Sequence, residues 1–174
     1  MAENLILKAL IQDNRSLALS LIKQMAPFQL SQGNAAGQTP LHVAVQKNYV
    51  EIAQALLEQG ANVDALAKDL SYRYMTPLHY AALTGNLIIS KLLLYYGANT
   101  QIKNSQAQTP ADIAALHGFI EVAHLISHGS KIPFFLSKPS IEPPSIRTWV
   151  TQKAKAGDSN NIVDLAQYKK QLKH

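Results

Sequence analysis

A four-residue segment recurs in register through the middle of the chain, and this recurrence constrains the fold more than any other feature. Thr39-Pro40-Leu41-His42 returns as Thr76-Pro77-Leu78-His79 and, degraded, as Thr109-Pro110-Ala111-Asp112, at spacings of 37 and 33 residues. The stretch after each copy repeats as well. Residues 39–61 and 76–98 align without a gap, and residues 109–130 keep the pattern one position shorter. A period of this length marks stacked supersecondary units, none of which can bury its apolar face alone.

Each unit reads as a helix, a tight turn, a second helix and an extended hairpin. Thr39, Thr76 and Thr109 stand as N-caps, each followed by proline at the first helical position, where a missing N–H costs nothing. The first helices are short and alanine-rich (Ala44; Ala81 and Ala82; Ala114 and Ala115), so that neighbours can approach closely. Asn48, Gly85 and Gly118 mark the turns because they tolerate left-handed backbone. The second helices carry larger aliphatics at helical spacing: Ile52, Leu56 and Leu57; Ile89, Leu92 and Leu93; Val122, Leu125 and Ile126. Gly60 and Gly97 are placed to end them.

These residues closely resemble the ankyrin repeat, with its T-P-L-H-x-A signature and a glycine-alanine segment after the second helix. The resemblance implies an all-α solenoid of stacked helix-turn-helix units with protruding β-hairpin loops. It places repeats at about 34–66, 71–103 and 104–130, within an ankyrin-repeat domain of residues 1–130. Residues of about 2–30 fit more loosely, through Ala9, Asn14, Leu17, Ala18, Leu21 and Ile22, and read as a capping repeat. The resemblance also implies that His42 and His79 belong to hydrogen-bond networks tying neighbouring hairpins.

The implied function is that of an adaptor: a non-enzymatic module binding another protein through a concave face of hairpin tips and first helices. Carried across by position, the partner-binding candidates are Gln38, Gln46 and Lys47; Met75, Leu83 and Thr84; and Gln108, Leu116 and His117. Two departures from the pattern add to them. The hairpin from Val63 to Met75 is four residues longer than its counterpart from Thr100 to Gln108, and Tyr72, Arg73 and Tyr74 on it are types that anchor interfaces. Those aromatics either reach a partner or fold back onto Tyr80 or the next repeat and stiffen it. In the last repeat Asp112 replaces the signature histidine and Ala111 the leucine, which fits a terminus or a different neighbour.

Residues 131–174 form a proline-containing linker and a basic segment. Four prolines within residues 131–144 exclude a regular helix there, and helices are expected at Ser145–Ala156 and near Asn161–Leu172. Phe134, Phe135 and Trp149 favour packing on the repeats as a degenerate further unit, the alternative being a partner-binding arm. All of the net charge of +5 resides here. Residues 1–129 balance eight Lys/Arg against eight Asp/Glu, whereas residues 130–174 hold eight basic residues against Glu142, Asp158 and Asp164. Binding of nucleic acid or an anionic membrane is the runner-up function, but the lysines are dispersed as on a solvated surface.

Other chemistry is thin. The chain has no cysteine, which excludes disulfides and thiolate metal sites and favours a reducing, cytoplasmic setting. Its first residues do not read as a signal peptide, and the longest apolar run is broken at Ser90 and Lys91. His124 and His128 have a chelating spacing, yet no third ligand is evident, so no metal or other cofactor is expected. Asn14-Arg15-Ser16 is a formal glycosylation sequon read as incidental. No nucleophile motif, phosphate-binding glycine loop or carboxylate pair appears. The abundance of Asn and Gln, 24 of 174 residues, with no catalytic domain or sorting signal beside the repeats, leans weakly toward a bacterial effector working in a host cytosol over a small eukaryotic adaptor, and a monomer is expected.

Overall fold

The computed structural model describes residues 4–68 and 74–129. The tyrosine and arginine at 72 and 73, and every expectation for residues 131–174, lie outside the described residues.

Three helix pairs follow the repeated segments: α4 (Pro40–Gln46) with α5 (Val50–Glu58), α6 (Pro77–Leu83) with α7 (Leu87–Tyr95), and α8 (Pro110–Leu116) with α9 (Ile120–Gly129). Each first helix begins with its threonine in extended backbone and proline behind it. Thr76 and Thr109 accept a hydrogen bond from the amide three residues on, which satisfies one of the open donors of a helix start. The turns fall where left-handed backbone is needed, with φ of 57° at Asn48, 65° at Gly85 and 78° at Gly118. Gly60 and Gly97 both stand at φ 83° after the second helices.

An earlier pair, α1 (Leu5–Ile11) and α2 (Arg15–Gln24), precedes these without any TPLH segment. Asparagines take over the capping. Asn4 Oδ1 accepts from the amides of Ile6 and Leu7, and Asn14 Oδ1 accepts from that of Leu17. Asp13 supplies the left-handed turn residue between them, at φ 59°. A short helix not foreseen from the sequence, α3 (Pro27–Leu30), comes next and sets Pro27 against Gly60.

The helices form two layers. The first helices pack in the order α1, α4, α6, α8, and the second helices in the order α2, α5, α7, α9. Between the layers runs one continuous core: Ile6 and Leu10, then Leu41, Ile52 and Leu56, then Leu78, Ile89 and Leu93, then Ile113 and Ile126, all essentially inaccessible. Alanines of the first helices (Ala44, Ala81, Ala114) are fully buried, and their small size is what brings adjacent layers close. Burying each of these Leu and Ile side chains contributes roughly 1.5–3 kcal/mol. No repeat could supply that burial alone.

The hairpins differ. Those ending at Gln38 and Gln108 share one construction, in which an asparagine turns the chain: Asn34 Oδ1 accepts from the amides of Ala36 and Gln38, and Asn104 Oδ1 from those of Gln106 and Gln108. The lengthened hairpin replaces this turn by a two-rung antiparallel ladder, β1 (Ala67–Lys68) against β2 (Tyr74–Met75). The repeats on either side of it stay in register.

Candidate functional site

Two hydrogen-bonded seams tie the repeats together, and they decide which positions remain available to a partner. The first runs along the hairpins. At the first TPLH segment the Thr39 amide donates to His42 Nδ1 at 3.2 Å, with the Thr39 hydroxyl 2.9 Å from the same nitrogen. An Nδ1 that accepts an N–H cannot carry the proton, so Nε2 holds it and donates to the Met75 carbonyl at 3.1 Å, one repeat away. His79 repeats the arrangement toward the Gln108 carbonyl at 3.2 Å. Burial pushes the His42 imidazole down to about 4 and lowers His79 as well, so both rings are neutral near pH 7. Asp112 completes the same local cap, accepting the Thr109 amide and hydroxyl at 2.8 and 2.7 Å. A carboxylate is too short to reach onward as the imidazoles do. Among the described residues the substitution thus keeps the cap without the onward tie.

The second seam runs along the turns between paired helices. The Tyr49 hydroxyl donates to Asp13, Arg15 lies 4.1 Å over the Tyr49 ring, and Arg15 Nε donates to Asp13 at 3.3 Å. The Tyr49 hydrogen bond, with Arg15 second, holds the Asp13 carboxyl below its ordinary range. One repeat on, Asn86 Nδ2 donates to Asn48 Oδ1 at 2.6 Å. In the last described repeat the Phe119 ring lies on Gly85, so close that a Cβ there would meet ring carbons at 2.4–2.7 Å. The polar seam at one end has become an aromatic seam at the other.

Between the seams lie the last turns of the first helices. Numbered from the N-cap threonine, the seventh position carries Gln46, Leu83 and Leu116, and the eighth carries Lys47, Thr84 and His117. The turn residues Asp13 and Asn48 put Ile11 and Gln12 in the same two rows in the first helix pair. Lys47 Nζ reaches the Ile11 carbonyl at 3.2 Å, so these rows adjoin. Leu116 is 71% and Ile11 63% exposed, Leu83 is half-buried, and Gln46, Lys47, Thr84 and His117 are open to solvent. An apolar row interrupted at Gln46 thus runs beside a polar row.

The hairpin candidates fare differently. Met75 is 0% exposed: its side chain fills the core and its carbonyl serves His42, so it is corrected from a partner contact to a structural residue. The sequence reading failed there because Met75 occupies a tip-proximal register position, and the ladder turns its side chain inward while Tyr74 faces out. Tyr74 is 48% exposed, whereas the Tyr80 ring is buried edge-on to His42 at 5.8 Å. Gln38 and Gln108 are half-buried, and their amide oxygens accept from Asn34 and Asn104 at 3.2 Å each.

Ile11 was missed, as were exposed Phe119 and Ile120. The Ile11-Gln12-Asp13 segment matches Gln46-Lys47-Asn48, but without a threonine-proline anchor the register cannot be read from sequence. Asn14, the sequon asparagine, is engaged in capping α2. His124 and His128 stack at 3.9 Å, with His128 Nδ1 donating to the His124 carbonyl. Among the described residues no group of three metal-ligating side chains converges, and no helix is long and apolar enough to cross a membrane.

Comparison with known proteins agrees with this geometry. Residues 36–68 match the ankyrin repeat, and residues 64–134 match a family model of three ankyrin repeats, together covering more than half of the chain. Human ankyrin repeat and SOCS box protein 11 is 38% identical over 91 residues, 52% of this chain and 27% of its own length. XBAT35 of Arabidopsis thaliana is also 38% identical over 91 residues, 52% of this chain and 19% of its own. Human NF-kappa-B inhibitor alpha is 33% identical over 127 residues, 68% of this chain and 38% of its own. The chain therefore spans less than two fifths of the length of each of these relatives. Ankyrin repeats are protein–protein interaction modules and generally non-enzymatic scaffolds. By repeat register, histidine seam and family match alike, this chain belongs to the ankyrin-repeat family.

Proposed function

We propose that the chain binds another protein through the last turns of α1, α4, α6 and α8. The observation carrying this reading is the pair of adjoining rows, one apolar (Ile11, Leu83, Leu116) and one polar (Gln12, Lys47, Thr84, His117), on helices of which α4, α6 and α8 commit their other large apolar side chains to the core. An apolar strip edged by polar groups is how recognition surfaces are built. NF-kappa-B inhibitor alpha, whose name describes action on another protein, supports the same class of function. The exposed Tyr74 makes the ribbon a second contact on this reading. The module is non-catalytic on the same reading, and turnover that depended on a named side chain would overturn that.

The test is affinity capture from cells with the full chain, its Leu83→Asp/Leu116→Asp variant and an Ile88→Asp control on α7. Thermal melts by circular dichroism establish that each is folded. Loss of the captured protein with the double variant alone supports the face. Equal capture by all three refutes it. A Tyr72→Ala/Arg73→Ala/Tyr74→Ala variant reads the ribbon separately, and unchanged capture would remove it from the site.

A further inference from the structure

Resting on the protein-binding reading above, we propose that the partner lays an amphipathic α-helix across α1, α4, α6 and α8, with apolar residues at heptad spacing and an acidic residue beside them. Three features carry the argument.

Spacing comes first. Packed helices lie about 8–10 Å apart, and an α-helix advances roughly 10.5 Å in seven residues. One heptad of a crossing helix therefore matches one repeat of this chain. Along the apolar row the order is Ile11, Gln46, Leu83, Leu116, so the partner presents apolar side chains at its first, fifteenth and twenty-second positions. Its eighth position faces Gln46 and is polar. An extended strand covers the same step in about three residues, and odd steps put successive side chains on opposite faces. Such a strand cannot meet every repeat with the same face.

The second feature is lining. A polyproline helix also repeats at a suitable length, about 9 Å per three residues, but such ligands dock in aromatic-lined grooves. The two rows contain Ile, Leu, Gln, Thr, Lys and His, and no Phe, Tyr or Trp. An α-helix, broad enough to cover both rows at once, is the better match to an aliphatic strip with a polar margin.

Charge is the third. The rows hold Lys47 and His117 and no carboxylate. Of the carboxylates near them, Asp13 is engaged by Tyr49 and Arg15, and Asp112, one turn before Leu116 on α8, by Thr109. Lys47 flanks Gln46 and places an acidic residue of the partner beside its eighth position, and the His117 imidazole, flanking Leu116, places a hydrogen-bonding acceptor beside the twenty-second.

The experiment presents the immobilised full chain to three display libraries of peptides about 22 residues long. The first is helix-stabilised with apolar residues at the heptad-spaced positions. The second has the same composition with the spacing broken, and the third carries proline at every third position. Enrichment of the first alone is expected, with Asp and Glu selected beside the eighth position and a hydrogen-bonding acceptor beside the twenty-second. Binding of the winners should weaken at least about tenfold in Leu83→Gln and in Leu116→Gln. These mild substitutions at solvent-accessible positions avoid placing a buried charge, and thermal melts establish folding. Enrichment from the second or third library to the same degree, no enrichment at all, or helical winners indifferent to both substitutions would overturn the proposal. Proline-library winners lost on Leu83→Gln would overturn the helix and leave the protein-binding reading standing. That reading falls separately, if the captured cellular protein is indifferent to Leu83→Asp/Leu116→Asp.

Discussion

Replacing His42 by alanine removes one side chain that serves two repeats at once. The ring is fully buried, accepts the Thr39 amide at 3.2 Å and donates to the Met75 carbonyl at 3.1 Å. Alanine strands both backbone groups away from water, at about 1–3 kcal/mol each, and leaves a void where the imidazole stood. A loss of about 3–5 kcal/mol is expected, a large share of the roughly 5–15 kcal/mol that stabilises a typical domain. Asp112 is the internal control. It caps Thr109 with hydrogen bonds of 2.8 and 2.7 Å, but it is exposed and, among the described residues, bonds to no further repeat. Water can replace it, so Asp112→Ala should cost about 1 kcal/mol. Urea unfolding of the full chain, followed by circular dichroism, measures both, and amide exchange at Thr39 localises the effect in His42→Ala. Equal costs for the two variants would refute the argument that the histidine acts by tying adjacent repeats.

Two further outcomes come from the same geometry. Burial holds His42 at about 4 against an ordinary 6.5; because the folded value is depressed, its contribution is complete above 6.5 and is lost as pH falls toward 4. The stability difference between wild type and His42→Gln should therefore shrink by roughly 3 kcal/mol from pH 7 to pH 4, and a flat difference in urea midpoints would contradict the buried neutral ring. At the turns, Gly118→Ala meets open space at φ 78° and should cost only about 1–2 kcal/mol for left-handed backbone. Gly85→Ala at φ 65° must also displace the Phe119 ring, so its thermal midpoint should fall clearly further; equal shifts would deny that Phe119 seals that seam.

The proposed binding face and the stability seams use different residues of the same helices. His42, His79 and Met75 bond inward across repeats, and changing them acts through folding. Leu116 and Ile11 are exposed and Leu83 is half-buried against the core, and changing them should act on recognition, with a smaller packing cost at Leu83. Partner-binding assays are interpretable only when the two sets are kept apart.

By itself the sequence determined the scaffold, because its signals are local. Threonine-proline starts, left-handed turn residues and helical aliphatic spacing each specify geometry within a few positions, and three copies in register leave a stacked solenoid as the consistent solution. It also pointed to Gln46, Lys47, Leu83, Thr84, Leu116 and His117, which derive from that register. Tertiary structure decided what depends on neighbours. Whether Met75 points outward was settled by the pairing of β2 with β1 and by the bond of its carbonyl to His42, partners that lie 8 and 33 residues away in the chain. Whether Ile11 joins the row was settled by packing of α1 on α4, since asparagine caps replaced the motif that would have revealed its register. The repeat specifies where a surface can form; the contacts between repeats select the residues left on it.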